Sequence, residues 1–196
     1  MKARHTLVWA TTLSVTLIVL AAVAPWSPRV LWNASASVPV GLYRLHPVDH
    51  LTIGDLVGVQ PPPALSDYLD ARGYLPRNVP LLKHVAALEG ALVCRSGDAI
   101  TVDHLRLGHA HAQDRNGRGL PIWQGCHRLG VGEVFLMNPE APDSLDGRYF
   151  GPLPQTAITA RLTPLWTVDD AITAASAHPD PTPHRNRKEA SHAPDR

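Results

Sequence analysis

Leu7 to Ala24 carries no charged residue, a run of 18 positions (24 − 7 + 1). At about 1.5 Å of rise per residue a helix of this length reaches ~27 Å, close to the apolar thickness of a bilayer. The run has no polar face to present to water, which argues against a helix packed on a soluble core. Lys2 and Arg4 precede it. The positive-inside rule then keeps residues 1–6 in the cytoplasm and sends the rest of the chain across. Ala22-Val23-Ala24 has the small-x-small form of a signal-peptide cleavage site. Pro25 follows directly, and a proline there obstructs cleavage because it lacks the amide hydrogen and constrains the backbone. An uncleaved anchor over 7–24 is therefore expected, with Trp26 at the interface. Ser37 lies 13 residues beyond Ala24 (37 − 24). An extended tether of that length spans at most ~45 Å, so chemistry at Ser37 is done near a membrane surface.

Beyond the anchor the chain reads as strands and loops. It has 19 prolines in 196 residues, about twice the usual ~5 %. Its apolar runs are short. Tyr43–Leu45, Leu56–Val59, Leu81–Leu88, Ala91–Cys94, Ala99–Val102, Leu105–Leu107, Glu133–Met137, Ile158–Leu162 and Leu165–Trp166 are expected strands. Gly54-Asp55 and Gly97-Asp98 are turn signals. Residues 64–79 read as a short helix or a loop, and 108–121 as an exposed loop. One mainly β domain over 25–177 follows. From 178 to 196 the chain holds four prolines, three histidines and mixed charge without an aliphatic core residue, and a disordered tail is expected. The formal net charge is +1, with no long basic run before the tail, so nucleic acid is not an expected partner.

Three stretches carry chemistry. Asn33-Ala34-Ser35-Ala36-Ser37-Val38-Pro39-Val40-Gly41-Leu42-Tyr43 follows the anchor and presents two serines two residues apart. In an extended chain their hydroxyls share a side, so the Ser35 hydroxyl and the Ser37 amide could both face a developing oxyanion. Asn33-Ala34-Ser35 also matches a glycosylation acceptor, which matters only in a eukaryotic secretory setting. A Ser/Ala-rich linker is the plainer reading. Leu81-Leu82-Lys83-His84-Val85 sets a lysine on an apolar strand face. Burial lowers a lysine pKa from ~10.4, which a lysine needs to act as a base. Alone, the stretch suits an aggregation-blocking edge lysine better. Ser144-Leu145-Asp146-Gly147-Arg148-Tyr149-Phe150-Gly151 supplies a hydroxyl, a carboxylate and a guanidinium, or merely a turn with a surface ion pair. His109 and His111, without a nearby cysteine, fall short of a metal-ligand set and read as a solvated loop.

In this order the three stretches resemble the signal peptidase family (S26), and in detail the TraF-type peptidases of plasmid conjugation systems. The resemblance runs from the anchor to about Trp166. It implies a mainly β, signal-peptidase-like (LexA-like) coiled sheet on one N-terminal transmembrane helix. It implies Ser37 as nucleophile and Lys83 as general base, with Ser35 and the Ser37 amide forming the oxyanion hole. Ser144 would bond the lysine amine, and Asp146 and Arg148 would buttress the site. Gly54-Asp55-Leu56-Val57 resembles a structural strand of the family. His84 stands where the broader signal peptidases usually carry Arg, and Gly90 is followed by Ala91 where they carry Gly-Asp.

The same resemblance implies a bacterial inner-membrane protein with a periplasmic domain, where oxidising conditions favour a Cys94–Cys126 disulfide over two buried thiols. The implied substrate is an exported precursor, in first place a conjugative pilin, cleaved or cyclised. The implied partners are membrane lipid and conjugative transfer or type IV secretion components, and no cofactor is expected. The rivals are a general type I signal peptidase and a non-catalytic, membrane-tethered subunit of the transfer apparatus.

Overall fold

The computed structural model describes residues 2–23 and 29–169. The expected cleavage site at Ala24, the interfacial Trp26 and the tail at 178–196 lie outside the described residues. Lys2–Val23 forms helix α1. Its 19-residue apolar stretch Arg4–Ala22 is unburied and is long and apolar enough to cross a membrane. Within it Thr11, Thr12 and Ser14 donate their hydroxyls to carbonyls four residues back, so these three groups are satisfied inside the helix.

The remaining elements are β1 (Val30–Asn33), β2 (Gly41–His46), β3 (Leu56–Val59), α2 (Pro63–Ala71), β4 (Leu81–Ala87), β5 (Leu92–Ser96), β6 (Ala99–Val102), β7 (Leu105–His109), β8 (Gly125–Arg128), β9 (Glu133–Met137), α3 (Gly147–Phe150), β10 (Leu153–Pro154) and β11 (Ile158–Thr167). They make two antiparallel sheets. The larger runs β1-β2-β11-β3-β4-β9-β10 and the smaller β7-β6-β5-β8. The domain is mainly β, as its short apolar runs and turn signals lead one to expect. The two apolar runs at 158–162 and 165–166 are one strand, β11, which bends at a register shift between Pro164 and Trp166. Pro164 pairs with Tyr43 but has no N–H to give the ladder, and the extra residue of the bulge, Leu165, follows it directly. Residues 63–71 resolve as a helix opened by Pro63, and a proline is well tolerated in the first turn.

Glycine and apolar packing set the strands that carry the site. Gly41 opens β2 opposite Thr167, and a Cβ there would meet the Trp166 carbonyl oxygen at 2.2 Å. The close approach of β2 and β11 thus excludes any side chain at 41. Trp32 on β1 and Trp166 on β11 both pair with Leu42 and stack with ring centroids 6.0 Å apart. Val57, Val59, Val85, Val134, Leu136 and Ile158 fill the core of the larger sheet. A smaller cluster joins Val38, Tyr43, Leu82 and Leu162. It packs the residue after Ser37 against the residue before Lys83.

Cys94 on β5 faces Cys126 on β8, and a disulfide joins them. β8 has no buried residue, so the covalent link adds to a backbone ladder with little packing behind it. The segment 108–121 is not a wholly solvated loop. Ala110 and Leu120 are buried with Tyr149, and Gln113 bridges Gly119.

Candidate active site

Ser37 sits in a tight turn, not in the extended chain in which the two hydroxyls would share a side by strand geometry. The cause is Asn33, whose side chain is buried at the end of β1. Its amide nitrogen donates to the carbonyls of Ser35 (2.8 Å), Val38 (3.2 Å) and Pro39 (3.1 Å). Its amide oxygen accepts from the Ser35 N–H at 3.0 Å and the Ser35 hydroxyl at 2.8 Å. One side chain therefore folds the backbone around Ser37, and a glycosylation role for it is ruled out by burial. The Tyr43 hydroxyl holds the far side of the turn, donating to the Pro39 carbonyl at 2.6 Å.

The Ser35 and Ser37 hydroxyls lie 3.2 Å apart despite the turn. Proton bookkeeping fixes the direction of that bond. An amide oxygen cannot donate, so the single Ser35 hydroxyl hydrogen points to Asn33 Oδ1. Ser37 Oγ–H must then donate to Ser35 Oγ. In this resting arrangement the Ser37 proton is directed at Ser35, and among the described residues no hydrogen bond joins Ser37 Oγ to Lys83 Nζ.

Lys83 lies in β4, between β3 and β9, and is 4 % exposed. It is not an edge-strand lysine. Its amine donates to Ser144 Oγ at 2.8 Å across 61 residues of sequence. Burial pushes its pKa down to about 8; the Asp146 charge acts in the opposite sense and the Arg148 charge in the same one.

Asp146 and Arg148 form a buried pair, not a surface one, with side chains 0 % and 1 % exposed. The contact is a two-pronged fork: Nε to Oδ1 at 2.9 Å and Nη2 to Oδ2 at 2.8 Å. The guanidinium also donates to the carbonyls of Asn138, Ala141 and Pro142, so the loop after β9 wraps around it. Asp146 accepts the N–H groups of Arg148 and Asn138. With every polar atom paired, the charges are tolerated in the interior. Gly147 lies between them, where a Cβ would meet Phe135 at 2.5 Å and the Leu136 carbonyl oxygen at 2.7 Å.

Two residues outside the three sequence stretches complete the arrangement. Asn138, 2 % exposed, donates from Nδ2 to the carbonyls of Ser37 (2.8 Å) and Leu82 (3.1 Å). Its Oδ1 accepts the His84 N–H at 3.0 Å and sits 3.0 Å from His84 Nδ1, which fixes the Nδ1–H tautomer. Arg95 on β5 is buried and donates to the Arg148 carbonyl at 2.6 Å, tying the smaller sheet to the buttress. The signal for Asn138 was a polar residue directly after the apolar run 133–137. Arg95 sits in a strand without a comparable cue. His109 pairs with Asp98 instead of a metal, and no group of three or more metal-ligating side chains occurs among the described residues.

Two clefts meet at Ser37. One, of about 860 Å³, is lined by Val38, Val40, Ile53, Val85, Leu107 and Met137 among others. The second, of about 800 Å³, is lined largely by polar and charged side chains. Ser37 thus stands, half-buried, where two grooves meet, and Asn138 links its carbonyl to that of Leu82, the residue before the buried Lys83.

The family model "Signal peptidase, peptidase S26" matches residues 3–166, and the chain belongs to that family of serine peptidases. Within it the chain is similar to the TraF proteins of conjugation. A plasmid transfer protein TraF from Escherichia coli is 34 % identical over 148 residues, covering 69 % of this chain and 81 % of that protein. The conjugal transfer protein TraF of Agrobacterium fabrum is 34 % identical over 150 residues, 70 % of this chain and 82 % of that one. That of Agrobacterium tumefaciens is 29 % identical over 175 residues, 85 % and 98 %. A signal peptidase I crystal structure from Enterococcus faecalis aligns with a TM-score of 0.36 and 15 % identity, over 60 % of this chain and 100 % of that one.

Proposed function

We propose that the protein is a membrane-anchored Ser–Lys endopeptidase that processes an exported precursor for a conjugative transfer system, in first place a pilin. The observation that carries this reading is the burial of Lys83 with its pKa near 8, which leaves a useful fraction of neutral amine at physiological pH. The names of the similar TraF proteins support the conjugative setting.

Ser37 rotates its hydroxyl from Ser35 to Lys83 and attacks the scissile carbonyl. Lys83 Nζ takes the proton and Ser144 holds the amine in line. The new Ser37 Oγ–C bond makes a tetrahedral intermediate whose oxyanion faces the Ser37 N–H. The Ser35 hydroxyl joins it by turning its hydrogen away from Asn33. The lysine ammonium then protonates the leaving amine, the C–N bond breaks and an acyl-enzyme remains. Water activated by Lys83 completes hydrolysis; a substrate amine in its place closes a ring.

Helix α1 is the anchor, with Lys2 and Arg4 on the cytoplasmic side and the domain from residue 25 in the periplasm. Co-expression of a conjugative pilin precursor with wild type, Ser37→Ala and Lys83→Ala tests the assignment, with each protein's membrane level matched by blot. The precursor should be processed by wild type alone. Processing by either variant at the wild-type rate removes that residue from the mechanism. Product mass separates cleavage from cyclisation.

A further inference from the structure

The polar cleft is a built surface. At its centre Asp114 accepts four hydrogen bonds: from the N–H groups of Asn116 and Arg118, from Arg118 Nε and from the Tyr74 hydroxyl. Arg118 lies over the Tyr74 ring at 4.9 Å and donates to the Arg72 carbonyl at 3.0 Å. Arg72 returns a bond to the Gly119 carbonyl at 3.2 Å and covers the Tyr68 ring at 5.2 Å. The network locks the segment after α2 to the segment 110–120. A surface held this firmly presents its charges in fixed places, which is what selectivity for a charged ligand needs.

Most of those charges are neutralised internally. Arg118 pairs with Asp114, and Arg115 pairs with Asp143, with His111 at 3.5 Å from the same carboxylate. Two charges are left without a charged partner among the described residues. Glu140 lines both clefts, as Ser37 does. Arg72 lines the polar cleft and not the apolar one. The cleft therefore has a net negative group at its junction with Ser37 and a net positive group away from it.

We propose that the polar cleft binds the charged flank of the substrate polypeptide on one side of the scissile bond. Glu140 takes a cationic side chain next to that bond, and Arg72 takes a carboxylate further along. The apolar cleft takes the other flank. This rests on Ser37 being the point of attack. It adds that the substrate changes from apolar to charged across the bond, with a defined order of charge on the charged side.

The test separates binding from cleavage. Full-length Ser37→Ala protein in detergent is titrated with fluorescein-labelled peptides that carry an apolar half, two alanines, and then either Lys or Glu. An exposed ion pair discriminates modestly, so the Lys peptide should bind about fivefold tighter than the Glu peptide. Adding Glu140→Lys should invert the order. In a second peptide pair that differs further along the charged half, Arg72→Glu should invert a preference for Glu over Lys. Both preferences should shrink toward unity in 1 M salt, because screening removes charge selectivity and not fit. Equal binding of Lys and Glu peptides, a preference unmoved by the charge reversals, or no peptide binding overturns the proposal. Wild type is assayed for cleavage of the same peptides. Charge-selective binding without cleavage would keep the polar cleft as a peptide-binding surface but overturn its placement beside a scissile bond along with the Ser–Lys reading; cleavage without charge selectivity would overturn the cleft assignment alone.

Discussion

Asn138 Nδ2 donates to the carbonyl of Ser37 at 2.8 Å, across 101 residues of sequence. The same side chain bonds the Leu82 carbonyl and the His84 N–H, the residues on either side of Lys83. One amide thus spans the candidate nucleophile and the candidate base. Asn138→Asp keeps the size and removes both donors, so the Ser37 and Leu82 carbonyls would face a carboxylate. A buried group left unsatisfied costs about 1–3 kcal/mol, which is ~5- to 150-fold in rate if it falls on the transition state. The expected result is a kcat loss in that range with KM nearly unchanged. Steady-state kinetics beside urea denaturation check it; a loss confined to folding stability would contradict a positioning role.

Burial of Lys83 should carry a stability cost. Its folded pKa of about 8 lies below the ~10.5 of an unfolded lysine. The unfolded chain then binds more protons between those values, so stability rises with pH across that window. Below about pH 8 the cost is fully present, on the order of 3 kcal/mol. Lys83→Met should therefore stabilise the domain by up to about this amount at pH 7, with the gain fading toward pH 10.5. Denaturant titrations of both proteins at pH 7 and 10 measure it. A variant less stable than wild type at pH 7 would contradict it.

Much of the fold is legible because apolar runs bounded by turn signals announce strands. β4 and β9 read directly from 81–88 and 133–137. β1 and β8 did not: Val30-Leu31-Trp32-Asn33 is short and follows an apolar anchor, and Gly-Cys-His-Arg carries no apolar pattern at all. Pro39 and Gly41 are compatible with an extended chain and with a turn at Ser37; the residue that decides for the turn is Asn33, four residues upstream. Lys83 could be seen to have apolar neighbours. Its burial and its contact with Ser144 depend on β3 and β9 closing over it, which is tertiary information. For Asp146 and Arg148 the sequence leaves a surface ion pair and a buttress of the site both open, since it shows adjacency and not depth.

Ser144→Ala removes the acceptor of the Lys83 amine while leaving Asp146 and Arg148 in place. Loss of a bond to the charged form lowers the lysine pKa further. The midpoint of the pH–rate profile should move below that of wild type and the plateau kcat should fall by about tenfold, the cost of one buried hydrogen bond to a charged group. Ser144→Thr, which keeps the hydroxyl, should restore both. A profile unchanged in Ser144→Ala would remove Ser144 from the site.

The Cys94–Cys126 bond closes a loop with a sequence separation of 32. Chain entropy assigns such a cross-link about 3–4 kcal/mol. Cys94→Ser with Cys126→Ser should lower stability by up to that amount and leave kcat intact, because β8 is an exposed edge strand of the smaller sheet while Lys83 lies in the larger one. Thermal unfolding with and without reductant gives the comparison; equal melting temperatures would show that the bridge contributes nothing.

The most direct test of a buried lysine base at Ser37 is the pH dependence of kcat/KM for precursor cleavage by purified full-length protein, from pH 6 to 10. The account predicts a tenfold rise per pH unit up to about 8, a plateau above it, and no activity in Lys83→Ala at any pH. A flat profile through pH 8, or a Lys83→Ala enzyme as fast as wild type, would contradict it.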